Sequence, residues 1–147
     1  MTDDLADPER RRIDLHESIS AVGQALARPA NGKREMWAEC VRVALAGLSA
    51  DFGEHLRVGE GTEGLYPGLL AAAPRLSNAV DDLIREQMRI MALVDTLLAT
   101  IRGPEGAVHV DRVRDLGAAL LARLSRQRQR DSDLFYEAYQ ADIGGES

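Results

Sequence analysis

The sequence predicts an all-α protein, an antiparallel up-down four-helix bundle, on three observations. Few aromatic residues and no run of alternating β-branched residues leave little to build a sheet from, whereas Ala, Leu and Arg abound. Four segments carry apolar residues at helical spacing. The links between them are mostly short, which makes sequential helices pack side by side in opposite directions. At 147 residues the chain suffices for one domain with a real core and is too short for two ordinary ones, so residues 1–147 are expected to form a single unit.

The first helix is expected over about 8–28. Pro8 suits a first turn, Asp7 is a plausible N-cap, and Leu15, Ile19, Val22 and Leu26 follow at alternating spacings of four and three. The stretch "RPANG", from Arg28 to Gly32, ends it. The second helix, about 34–60, places Trp37, Val41, Ala44 and Leu48 on one stripe, with His55 on or beside it, and ends between Gly59 and Gly64. "LYPGLLAAAPR" then predicts a short, turn-like helix broken at Pro67 and Pro74. The third long helix, about 75–102, has the cleanest pattern, a heptad run of Leu76, Val80, Leu83, Gln87, Ile90, Val94, Leu97 and Ile101. After the loop "RGPEGAVH", the fourth covers about 109–140, with Val113, Leu116, Leu120, Leu124, Gln127, Asp131 and Leu134 on its inner side.

A formal charge of −6 argues against nucleic acid, whose phosphates call for a concentrated basic surface. Arginines cluster at Arg10, Arg11 and Arg12 and again at Arg123, Arg126, Arg128 and Arg130, which reads first as solvated helix faces paired with nearby acids. The single cysteine, Cys40, excludes an intramolecular disulfide, and its mid-helix place suits a small semi-buried residue. No apolar signal core opens the chain, and no stretch approaches the ~18 apolar residues of a membrane span, so a soluble, cytoplasmic protein without a membrane partner is expected. His109 reads as an exposed loop residue, and Met36, Met88 and Met91 as core filler. Phe135, Tyr136 and Tyr139 gather in an end segment where Tyr66 and Pro67 could meet them, as a packed cap or a contact surface for a protein partner or second copy.

The apolar stripes are interrupted by polar residues, and burying an unsatisfied amide or imidazole costs roughly 1–3 kcal/mol. The interruptions are His55 on the second helix, Gln87 on the third and Gln127 with Asp131 on the fourth, joined by His16 beside the first stripe. Up-down topology brings His16, His55, Gln127 and Asp131 to one end of the bundle. Gln87 joins them only if the segment after Gly64 lets the third helix begin well beyond that level.

This arrangement resembles the hemerythrin-like, or HHE cation-binding, family over nearly the whole chain. His16 stands on the first helix; "EHLRVGEGTEGLYP" is similar to the family's His, then Glu, then Leu-Phe/Tyr-Pro pattern; "LIREQMRI" is similar to its Leu-x-x-Glu-His segment; and "LSRQRQRDSDLFYEAY" to its closing His-x-x-x-Glu/Asp helix. The resemblance implies two non-haem irons held by imidazoles and bridging carboxylates, for binding or sensing oxygen or nitric oxide or for peroxide chemistry. On this chain it assigns His16 and His55 as ligands, Glu60 or Glu63 as the second helix's carboxylate and Asp131 as the fourth helix's. The acid usually four residues after the histidine falls on Gly59. Gln87 and Gln127 replace histidines, and Met91 stands where a second histidine of the third helix often sits. A glutamine carbonyl is a weak neutral donor beside an imidazole, so the remaining set suits one metal with open positions better than two.

Two functions follow as expectations. One is a hemerythrin-like protein with a partly lost non-haem iron site that still binds or senses a metal, oxygen or nitric oxide ligand. The other is a metal-free interaction or regulatory bundle with a small ligand in the vacated pocket. Catalysis ranks below both, since the sequence offers no Ser-His-Asp or Cys-His set and no phosphate loop.

Overall fold

The computed structural model describes residues 8–60, 65–102 and 109–141, and all regular structure within them is helical. The elements are α1 (Pro8–Ala27), α2 (Arg34–Glu60), the short α3 (Leu65–Ala72), a 3-10 turn (Pro74–Leu76), α4 (Ser77–Arg102), α5 (Val110–Tyr136) and a closing π-helical turn (Glu137–Ala141). Asp7, the expected N-cap of α1, lies outside the described residues. Among the described residues no helix is long and apolar enough to cross a membrane.

The stripes bury as their spacing requires. Leu15, Val22 and Leu26 of α1, Trp37, Val41, Leu45, Leu48 and Phe52 of α2, Ile90, Val94 and Leu97 of α4, and Val113, Leu120 and Leu124 of α5 form one core shared by all four long helices. Every member of the α4 heptad run is buried, Gln87 included. A heptad run keeps one seam facing its partners over seven turns, and burying each large apolar side chain contributes roughly 1.5–3 kcal/mol. A second, smaller cluster joins Tyr66 and Leu69 of α3, Ala73, Leu76, Val80 and Leu83 around the start of α4, and Leu134 with Ala138 at the end of α5.

Polar contacts fix how the helices lie. Ser18, midway along α1, donates to Asp51, in the second half of α2. Arg128, late in α5, meets His16, early in α1, and Arg114, early in α5, reaches the end of α1. Arg123 of α5 grips the half-buried Glu86 of α4 at 2.9 Å, one turn from where Gln127 approaches Leu83. The His16–Arg128 and Leu26–Arg114 contacts run in opposite order along α1 and α5, so those two helices are antiparallel. Gly32 adopts φ +70° in the link between α1 and α2, where the Lys33 amide closes a turn onto Ala30. Only glycine enters that left-handed region without steric cost.

Three sequence expectations change. Pro67 does not break α3; it is the third residue of that helix, where a first-turn amide has no intrahelical partner to lose. Pro74 opens the 3-10 turn, so α4 itself begins at Ser77. Met36 and Met88 are 66% and 65% exposed, and only Met91 packs against the main core. A thioether on an unbranched stem is tolerated on either side of a helix, and spacing alone did not distinguish the two faces here.

Candidate functional site

The two apolar clusters are separated by a polar layer. Along α4 the second cluster ends at Leu83, Gln87 follows, and the main core resumes at Ile90; along α5 the main core ends at Leu124, Gln127 and Asp131 follow, and the second cluster begins at Leu134. Gln87 and Gln127 are 1% and 2% exposed, and they are the buried polar residues among those described. The Gln87 amide donates to the Tyr66 hydroxyl at 2.7 Å, and Tyr66 donates to the Asp131 carboxylate at 2.9 Å. A three-residue chain thus runs from α4 through α3 to α5. Gln127 is held less well: its Nε2 approaches the Leu83 carbonyl at 3.4 Å, near the limit of a hydrogen bond. The Oε1 atoms of both glutamines are buried without a partner among the described residues.

Beside this layer lies a cavity of about 800 Å³. Its floor includes the buried Leu15, Phe52 and Gln127, its walls His55, Leu121, Asp131 and Phe135, and its rim the exposed Arg12, His16, Ser125, Arg128 and Ser132. His16, His55, Gln127 and Asp131, which the sequence placed at one end, therefore do share one cavity. Gln87 reaches the same layer through Tyr66, because α3 and the 3-10 turn set back the start of α4 as required.

The individual placements decide what chemistry is open. His16 is exposed at the rim, not turned into the interior as its place beside Leu15 suggested; one residue along a helix rotates a side chain by roughly 100°. Its Nδ1 lies 3.0 Å from a guanidinium nitrogen of Arg128. A guanidinium only donates, so Nδ1 accepts there. His55 is half-buried and stacks on Phe52 with ring centroids 5.9 Å apart and planes at 23°. Asp131, half-buried, has one oxygen engaged by Tyr66. The side chain of Glu60 and the whole of Glu63 lie outside the described residues. Among the described residues no three His, Cys, Asp or Glu side chains come together as a metal's donor set. His109 precedes the first turn of α5 and is exposed, and Cys40 is partly buried.

Tyr66 is the residue of the polar layer that sequence reasoning undervalued. It was expected in a cap; its ring does stack on Phe135, which stacks on Tyr139, at 6.3 and 6.0 Å. Its hydroxyl, however, is the centre of the polar layer. The available signal was a tyrosine flanked by apolar residues in a segment that must cover a bundle end containing unsatisfied amides, since a buried phenol seeks a partner.

Comparison with protein-family models, with curated proteins and with solved structures gives no match for this chain.

Proposed function

We propose that this chain is a hemerythrin-like, antiparallel up-down four-helix bundle whose interior site takes a small organic ligand in place of a two-iron centre. The observation that supports it is the shared cavity. Four residues at the positions where the family resemblance expects ligands, His16, His55, Gln127 and Asp131, line about 800 Å³ of space, within the range of small-molecule pockets. The donor set does not fit two irons. Two of the expected imidazoles are amides, the Nδ1 of His16 faces Arg128, and an oxygen of Asp131 accepts from Tyr66. An amide oxygen buried without a partner, as in Gln127, is instead suited to accept from a ligand's N–H or O–H. On this reading ligand occupancy, not metal chemistry, is the signal that a regulatory or interaction module reports.

A single metal held by His16, His55 and Asp131 is the second reading, favoured by their position around the same cavity. Metal analysis of untagged protein, followed by anaerobic Fe(II) loading and a visible spectrum in air, separates the two. Substoichiometric metal with no iron absorption band is the expected result. Stoichiometric metal that is lost in both His16→Ala and His55→Ala would overturn the ligand-cavity reading.

A further inference from the structure

We infer that the cavity binds an amphipathic organic anion, with its apolar body among the core side chains and its acid group held at the rim by Arg12 and Arg128. This rests on the reading of the cavity as a ligand site and names the chemistry of the occupant.

The charge pattern around the opening carries the inference. Some described arginines are matched to acids, Arg42 to Glu39, Arg57 to Glu54, Arg85 to Asp82, Arg75 to Glu137, and Arg89 and Arg123 to Glu86, whereas others, such as Arg34, Arg112, Arg126 and Arg130, stand exposed on helix faces away from the cavity lining. Arg12 and Arg128 are unmatched too, and they are the described arginines that line the cavity. Arg12 makes no hydrogen bond or ion pair with any described residue, and Arg128 contacts the imidazole of His16 and no described carboxylate. Among the described residues the only carboxylate in the lining is Asp131, which already accepts from Tyr66. Among the described residues this rim, in a chain of net charge −6, is a local excess of positive charge, and its planar guanidiniums match a carboxylate or sulfonate in fork geometry.

The interior supplies the other half. Leu15, Ile19, Phe52, Leu121 and Phe135 present apolar and ring surface below the rim. Gln127, 2% exposed on the same lining, keeps its amide oxygen without a partner. That oxygen is itself buried, so a ligand body bearing one N–H or O–H gains the hydrogen bond the protein leaves open once the amide turns toward the cavity.

Anilinonaphthalene sulfonate has all three features, and N-phenylnaphthylamine has the same rings and N–H without the sulfonate. Fluorescence titration of the full chain with each tests the inference. Both should bind, with the sulfonate about tenfold tighter and its advantage shrinking as salt is raised. In the double variant Arg12→Gln/Arg128→Gln that advantage should vanish while the neutral probe binds as before; both side chains are exposed, and far-ultraviolet circular dichroism checks the fold. Displacement of the sulfonate probe by dodecanoate assigns chain acids as the occupant, and displacement by naphthoate assigns ring acids. Equal affinity for the two probes, an advantage that survives the double variant, or displacement by neither acid overturns the anion assignment and leaves the ligand cavity standing. Binding of neither probe overturns both.

Discussion

The Tyr66 hydroxyl accepts from Gln87 and donates to Asp131, so a single oxygen connects three helices at the level where the core turns polar. Tyr66→Phe leaves the buried Gln87 amide without a partner and should cost about 1–3 kcal/mol in urea unfolding. Adding Gln87→Leu to that variant should restore most of the loss, because both ends of the broken bond are then apolar. Gln127 predicts the opposite behaviour. Its one long hydrogen bond and orphaned oxygen mean that Gln127→Leu should be neutral or stabilising by up to about 1 kcal/mol, while weakening any occupant that donates to the amide. At this scale the sequence was only partly legible. Gln87 and Gln127 stood out because they broke an apolar stripe, and both are buried. His16 and Tyr66 did not reveal themselves, since one is turned to the rim by a single residue's rotation and the other is defined by partners 21 and 65 positions away.

Helices α1, α2 and α5 meet around Arg114. Its guanidinium donates to the carbonyls of Leu26 and Arg28 at 3.0 and 2.8 Å, satisfying the end of α1, and lies 5.3 Å over the ring of Trp37 at the start of α2. Arg114→Met keeps much of the stem's packing and removes the donors, so a loss of about 1–3 kcal/mol in thermal or urea unfolding is expected. Close by, α5 comes so near α1 that a Cβ on Gly117 would sit 2.4 Å from Leu26 Cδ1 and 3.3 Å from its Cγ. Leu26 Cδ1 would have to shift and its Cγ to give by a few tenths of an ångström, inside a packed core. Gly117→Ala should therefore destabilise by about 1–3 kcal/mol despite its better helix propensity. Gly47→Ala, where nothing lies within 4 Å of the new atom, should instead stabilise by up to about 1 kcal/mol. The long helices themselves were legible to within a few residues, because a stripe repeated over many turns averages out local exceptions. The Arg114 tie and the Gly117 approach were not, as nothing in the local pattern of α5 specifies which turn of α1 it crosses.

On the scale of the whole molecule, the polar layer makes one end of the chain's packing smaller than the other. The main core draws on four long helices, whereas the second cluster depends on α3, the 3-10 turn and the two helix ends that flank them. Local opening follows the apolar area that closes a region. Amides of Leu69 to Leu83 and Leu134 to Ala138 should exchange with solvent faster than those of Val41 to Leu48 and Ile90 to Leu97, and an occupant of the cavity should slow the first group more. All-helical architecture was readable from composition and periodicity. The division of the core was hinted at by two glutamines, but the chain's closing contacts between α3 and α5 join residues far apart in sequence, and no local pattern encodes them. The layer also sorts the chromophores. Trp37, the sole tryptophan, is buried in the main core, while Tyr66, Tyr136 and Tyr139, all the tyrosines, belong to the other end. Each half thus carries its own optical label, and tryptophan emission and tyrosine near-ultraviolet dichroism, followed through one melt, will trace one curve if the halves unfold together and two if they do not.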